Sequence, residues 1–413
     1  LIDTTIQKLS NSISYAKHTS SMKTQKDKKI VFIFDECHRS QFGETHKRIT
    51  EYFSNYQMFG FTGTPIFEDN ASGNALGKRT TKDLFGDRLH RYTVVDAIKD
   101  ENVLKFSVEY VGRYKLKDTV NEVDIQVEDI DRQELFESPQ RLDRIVDYIL
   151  ANHNRKTHSR DFTAIFAISN VDTLIKYYEL FKKKDHNLKI ATIFSYGVNE
   201  ADKDADSMLD DDPQMNLFDY VNQHSRDKLE ECIKEYNKMF GSSYSTKTSE
   251  SFYNYYRNIA DRVKAREIDI LLVVNMFLTG FDSPTLNTLY VDKNLRYHGL
   301  LQAYSRTNRI LNETKSQGNI ISFRNLKKAT DESLELFANK NAKEEIFIKP
   351  YQDYVTEFEN NLRVLKIYTP TDSSVDELPD EIAEAHFVTR FRELLRAKNV
   401  LISFADFSFD HLG

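Results

Sequence analysis

The segment Ile30-Val-Phe-Ile-Phe-Asp-Glu-Cys-His38 constrains this chain more than any other. Five apolar residues run directly into two carboxylates, a thiol and an imidazole. A continuous apolar run of that length predicts a buried parallel strand. Asp35 and Glu36 then fall at its C-terminal end, where open α/β sheets place their ligand chemistry. A carboxylate there can hold Mg²⁺ through oxygen and water ligands, and its neighbour can orient a water for attack on a phosphate.

Further apolar runs continue the pattern. Met58–Thr62, Phe162–Ser169, Lys189–Ser195, Ile268–Val274, Thr288–Asp292 and Asn319–Ser322 are strand candidates, and Val103–Val111 is a strand or an extended linker. Helical periods lie between them: Leu142, Ile145, Val146 and Ile149 after Pro139, then Leu174, Tyr177, Tyr178 and Phe181. Strands alternating with helices predict an α/β fold with parallel sheets. The 413 residues exceed the ~250–300 at which one core stops growing. The expected division is 1–105 as the later part of a first α/β domain, 106–138 as a linker or peripheral insert, 139–330 as a second α/β domain, and 331–413 as a helical appendage with Leu334, Phe337, Phe387, Phe391, Leu394 and Leu395. Within the second domain, 197–250 is polar and acidic, and its composition predicts a solvated loop. The net charge of −7 disfavours a general nucleic-acid coat but leaves room for a local basic groove. Cys37 and Cys232 lie far apart, so a reducing compartment, the cytoplasm, is expected rather than a disulfide framework. No run approaches the ~18 apolar residues of a membrane span, so no membrane partner is expected. The chain opens on Leu1 in what reads as mid-domain sequence, which suggests a fragment.

Three more segments carry chemistry. Phe59-Gly-Phe-Thr-Gly-Thr-Pro65 ends a strand in two hydroxyls, Thr62 and Thr64, that can hydrogen-bond near Asp35 and Glu36; a plain tight turn would also explain the Gly and Pro. Val273–Pro284 leads from a strand into Thr279-Gly280-Phe281-Asp282. Gly280 permits close backbone approach, and Asp282 could accept from a ribose hydroxyl or position an arginine. The alternative is an ordinary loop. In Gln302-Ala-Tyr-Ser-Arg-Thr-Asn-Arg309, spacings of four and three would place Gln302, Arg306 and Arg309 on one helical face. Two arginine forks there suit a transferring phosphoryl group, although a salt-bridged surface helix would look similar.

The order of the four segments resembles motifs II, III, V and VI of superfamily-2 helicases and translocases. Thr4-Thr-Ile-Gln-Lys-Leu9, Asp35-Glu-Cys-His-Arg-Ser-Gln-Phe-Gly43, Gly60–Phe67, Leu278–Leu289 and Val291-Asp-Lys-Asn-Leu-Arg-Tyr-His-Gly299 are similar to the motor (R) subunit of type I restriction-modification enzymes, over roughly residues 1–330. The resemblance implies RecA-like domains: part of a first, a complete second, and the start of a helical region. It implies an ATP- and Mg²⁺-dependent translocase of double-stranded DNA, partnered by methylase and specificity subunits, that cuts when stalled. On this chain Asp35 would hold Mg²⁺, Glu36 would activate water, and His38 would link nucleotide to the domain interface. Thr62 and Thr64 would couple hydrolysis to motion, Gly280 and Asp282 would join the interdomain nucleotide site, and Gln302, Arg306 and Arg309 would face the γ-phosphate.

Two parts of such a motor are missing from the sequence. No Gly-x-x-x-x-Gly-Lys-Ser/Thr loop occurs. Gly73-Asn-Ala-Leu-Gly-Lys-Arg-Thr80 is one residue short, carries Arg79 where a hydroxyl is needed, and follows the Asp35 strand instead of preceding it. The only Glu-x-Lys, Glu313-Thr-Lys315, lacks the strand context of a nuclease. The expectation is therefore a piece of the motor beginning after its phosphate loop. Rivals are another superfamily-2 motor, of type III restriction or RNA-remodelling kind, and a non-catalytic module that binds DNA or a partner protein.

Overall fold

A computed structural model describes residues 2–14, 22–38, 44–71, 80–111, 136–195, 223–338, 342–404, 407–408 and 410. The acidic stretch 112–135, the Gly73–Lys78 part of the rejected phosphate-loop lookalike and Asp202–Asp212 lie outside the described residues.

The first unit contains α1 (Ile6–Ser14), β1 (Ile30–Phe34), α2 (Glu44–Tyr52) and β2 (Tyr56–Gly60), with β1 and β2 paired in parallel. Phe32 and Phe34 turn inward onto Phe53 and Phe85. Val31 and Ile33 turn outward and are half or more exposed. This corrects the expectation of a fully buried strand. Side chains alternate across a strand, and among the described residues only one face of this pair is covered. β2 also ends at Gly60, two residues earlier than expected, so Thr62 stands in the turn beyond it.

Two short helices, α3 (Thr81–Phe85) and α4 (Val94–Lys99), follow, each opened by a threonine whose hydroxyl accepts the N–H of an aspartate three residues on. The next strand, β3 (Phe106–Tyr110), falls in the stretch read from sequence as linker. It pairs in parallel with β8 (Gly318–Ser322) and forms the edge of the second sheet. That sheet is all parallel, in the order β3-β8-β7-β4-β6-β5, with β4 Thr163–Ile168, β5 Ile190–Ile193, β6 Ile270–Val273 and β7 Leu286–Asp292. Strands β4 to β8 are buried along their whole length, as a sheet covered on both faces requires. The covering helices include α5 (Pro139–Lys156), which starts on a proline at its first position, and α6 (Val171–Lys183), capped by Asn170.

The polar 197–250 segment is not one loop. Gln223–Phe240 forms α7, and Leu229, Cys232, Ile233 and Tyr236 are buried in the main core. α8 (Ser249–Lys264) follows and buries Phe252, Tyr255, Ile259 and Val263. After α9 (Tyr297–Tyr304) and β8, α10 (Lys327–Phe337) and α11 (Ala342–Ile346) still join the main core through Leu334, Phe337 and Ile346. A helical pair, α12 (Tyr351–Tyr368) and α13 (Glu381–Ser403), then builds a separate small core from Val355, Phe358, Leu365, Leu394, Ala397 and Leu401. The pair is tied to the sheet by polar contacts. Lys156 Nζ donates to Ser403 O at 2.6 Å and pairs with Glu109, and Gln317 donates to Ser403 Oγ at 2.7 Å. No helix among the described residues is long and apolar enough to cross a membrane.

Candidate functional site

The turns after β1 and β2 are laced together. Phe61 N–H donates to Phe34 O at 2.8 Å and Cys37 N–H to Phe61 O at 3.0 Å. Gly60 permits this approach, since a Cβ there would sit 2.7 Å from Cys37 Sγ. Glu36 adopts a left-handed φ of 47°, which swings its side chain out of the strand's alternation. Its N–H donates to Asp35 Oδ1 at 3.0 Å. Thr62 Oγ1 accepts from Thr64 N–H at 3.0 Å and meets His38 Nδ1 at 2.7 Å. Asp35, Glu36, His38, Thr62 and Thr64 therefore share one site at the end of the two-stranded sheet.

Gln302 of α9 enters this site from the second unit. Its Nε2 lies 3.4 Å from Glu36 Oε2, 3.1 Å from His38 Nε2 and 3.3 Å from Thr64 Oγ1. The amide orientation follows from the carboxylate, because a flipped amide would set its oxygen against Glu36. Gln302 then donates to His38 Nε2. That leaves His38 Nδ1 as the protonated nitrogen, donating to Thr62 Oγ1 and lying 3.4 Å from Glu36 Oε2. His38 and Gln302 are both buried, so the contact is made largely away from water.

The arginines are arranged differently from the sequence expectation. α9 ends at Tyr304, so Gln302, Arg306 and Arg309 do not share a helical face. Thr307 Oγ1 takes the Tyr304 carbonyl at 2.8 Å, and Asn308 is strapped to Leu104 by two hydrogen bonds. These interactions pull the chain out of the helix. Arg306 folds back, donating from Nε to Gln302 O at 3.0 Å and from Nη1 to Phe281 O at 2.8 Å. Arg309 pairs with Asp282 at 3.1 Å, with both groups substantially exposed. Gly280 has a left-handed φ of 69° in the loop that supplies Phe281 and Asp282. The structure thus forms two groups, the Asp35–Thr64 set and the Gly280–Arg309 set, joined through Gln302.

Sequence reasoning missed three neighbours. His298, one helical turn before Gln302, has its ring centre 5.5 Å from that of His38; the four-residue spacing was the available signal. Phe277 carries a positive φ of 69° and meets Phe281 edge-on and Tyr256 at a tilt. No sequence pattern announces that. Lys315, set aside above, is buried beneath the same loop. The cysteines are both free and buried, and burial pushes the Cys37 thiol up to about 11, so it behaves as a packing group.

The protein is thus α/β with two parallel sheets, three of the four ordered motifs at strand ends, the fourth on and after α9, and a buried contact between the units. Family models match in series: the SWI2/SNF2 ATPase over residues 1–140, type I restriction enzyme subunit R domain 3 over 160–325, and the subunit R C terminal of type I restriction and modification enzymes over 346–412. The chain belongs to the type I restriction enzyme R-subunit family. It is 44% identical over its whole length to the type I restriction enzyme SauMSSORF170P endonuclease subunit of Staphylococcus aureus strain MSSA476. It is 28% identical over 90% of its length to a putative type I restriction endonuclease subunit of Methanocaldococcus jannaschii. It spans 43% of the first relative and 34% of the second. A fragment structure of a putative HsdR subunit from Vibrio vulnificus matches 74% of this chain and 46% of that one, with 16% identity and a TM-score of 0.42.

Proposed function

We propose that this chain forms part of an ATP-driven motor that translocates double-stranded DNA ahead of endonucleolytic cleavage. The observation that carries the proposal is Gln302 reaching Glu36, His38 and Thr64 from more than 230 residues away. A buried contact of that kind lets a group at one strand end sense the position of the other unit. Asp35 would hold Mg²⁺. It is exposed at the strand end, and no cluster of three metal-ligating side chains exists among the described residues. That donor set fits Mg²⁺, which is commonly held by one or two carboxylates with water and phosphate oxygens completing its shell. ATP bound with the metal would supply the phosphoryl group for hydrolysis. Glu36 would orient and deprotonate the attacking water, with His38 and Gln302 setting the direction of its carboxylate. Arg306 and Arg309 would stabilise charge on the transferred phosphoryl group. Thr62 and Thr64 would pass the change to the interface. DNA would be held mainly by phosphate contacts, leaving sequence choice to specificity and methylase subunits.

The test uses a full-length R subunit carrying this segment. Glu36→Gln keeps size and polarity but removes the carboxylate. It should bind ATP and DNA nearly as the parent does, yet neither hydrolyse nor translocate, and cleavage should fail with it. Asp35→Ala should instead weaken Mg²⁺-dependent nucleotide binding. Translocation by Glu36→Gln at the parent rate would overturn the assignment of this strand end.

A further inference from the structure

Lys315 sits on the connection from α9 to β8 and takes no part in the motor parts assigned above. Its side chain is buried, and Nζ donates to Pro284 O at 2.7 Å and Leu286 O at 2.8 Å. The described residues give it no carboxylate within ion-pair distance. Burial lowers its pKa to about 7, the Arg309 charge adds to that, and Asp282 opposes it. Burying an amine in this way is unfavourable unless its hydrogen bonds do something an apolar side chain cannot.

The two carbonyls lie on the stretch that holds the arginines. Arg306 donates to Phe281 O and Arg309 pairs with Asp282, while Pro284 is two residues further on. At the same corner Thr285 Oγ1 bonds Ser283 Oγ at 3.0 Å and the Lys264 carbonyl at 3.2 Å. The connection 305–317 and the loop 279–286 are therefore stitched at three points, of which Lys315 is the buried one. We propose that Lys315 is a positioning residue that pins the Pro284 and Leu286 carbonyls and so fixes Phe281 O and Asp282, the acceptors that aim Arg306 and Arg309. The assignment rests on the phosphoryl-stabilising role given to those arginines.

A double-mutant cycle in a full-length R subunit tests it. Lys315→Met should cut ATP turnover by about 10²-fold, as misplacement of a reacting group by about an ångström does, while nucleotide affinity is retained. In an Arg309→Ala background the same substitution should cost less turnover, because one of its two routes of action is gone. The loss of melting temperature should be equal in both backgrounds. Lys315→Gln keeps an N–H₂ donor and serves if the methionine variant does not fold. An undiminished loss in the Arg309→Ala background, or a lower melting temperature with normal turnover, would overturn the role of Lys315 alone. Normal turnover in Arg306→Ala and Arg309→Ala would sink the arginine assignment itself, and this inference with it.

Discussion

Arg306 and Arg309 are held by unlike means, which sets what each substitution should do. Arg306 spends two N–H groups on backbone carbonyls that no side-chain change can remove. Arg309 depends on one exposed carboxylate and is the freer of the two. Alanine at either position should lower ATP turnover by about 10³-fold or more, the scale of a lost arginine finger. Nucleotide binding should survive better than turnover. Arg306→Lys should not rescue, since an ammonium lacks the fork needed for both carbonyls. Measured turnover equal to the parent in both alanine variants would reduce the segment to a surface turn. The residues that the structure brings into these two groups were legible as candidates because their order along the chain is itself informative: Asp35-Glu36, Thr62 and Thr64, Gly280 and Asp282, then Gln302, Arg306 and Arg309. Their geometry was less so. A spacing of four and three implies one face only while the helix lasts, and Thr307 and Asn308 end it first through contacts with Tyr304 and Leu104, the second of them more than 200 residues away.

At the scale of elements, the strands from β4 to β8 were readable because a strand buried on both faces must be apolar throughout. β3 was ambiguous for the opposite reason. As an edge strand it is only half covered, and Ser107 and Glu109 interrupt its apolar pattern. α7 was hidden by averaging. Charge over 197–250 suggested a solvated segment, yet Leu229, Cys232, Ile233 and Tyr236 recur at the helical spacing and make the buried stripe. Ile233→Ala, fully buried, should cost about 2–5 kcal/mol. Denaturant unfolding of this variant measures it. A change below about 0.5 kcal/mol, the size typical of surface positions, would mean that α7 does not pack on the sheet.

For the molecule as a whole, buried titratable groups make stability depend on pH in a defined direction. His153 is fully buried between α5 and the sheet, 3.5 Å from Tyr290 OH. Burial, helped by the Arg160 charge, lowers its pKa to about 3. The unfolded chain takes up this proton near pH 6.5 and the folded chain does not, so stability is present above about 6.5 and is lost as pH falls toward 3. The full loss from this group is on the order of 5 kcal/mol. Asp292 adds to the acid loss at lower pH: burial alone would raise its pKa, but Arg141 and Arg324 hold it below the usual carboxylate range. On the alkaline side, Lys315 has its pKa lowered to about 7 by burial, and Lys156 is also lowered by burial. Between about 7 and 10.5 the unfolded state binds more protons at Lys315, and Lys156 acts in the same direction, so stability rises with pH there. The buried tyrosines Tyr177, Tyr255 and Tyr290 are pushed above their usual range and reverse the trend once the unfolded phenols ionise above about pH 10. These groups therefore place the stability maximum at about pH 10, where the rise from the lysines meets the fall from the tyrosines. Urea unfolding at steps from pH 4 to 10 measures the profile, and His153→Phe, which fills the same site without a titratable ring, should flatten it below pH 6.5. An acid limb of equal steepness in that variant would show that His153 is not the group whose protonation unfolds the second sheet.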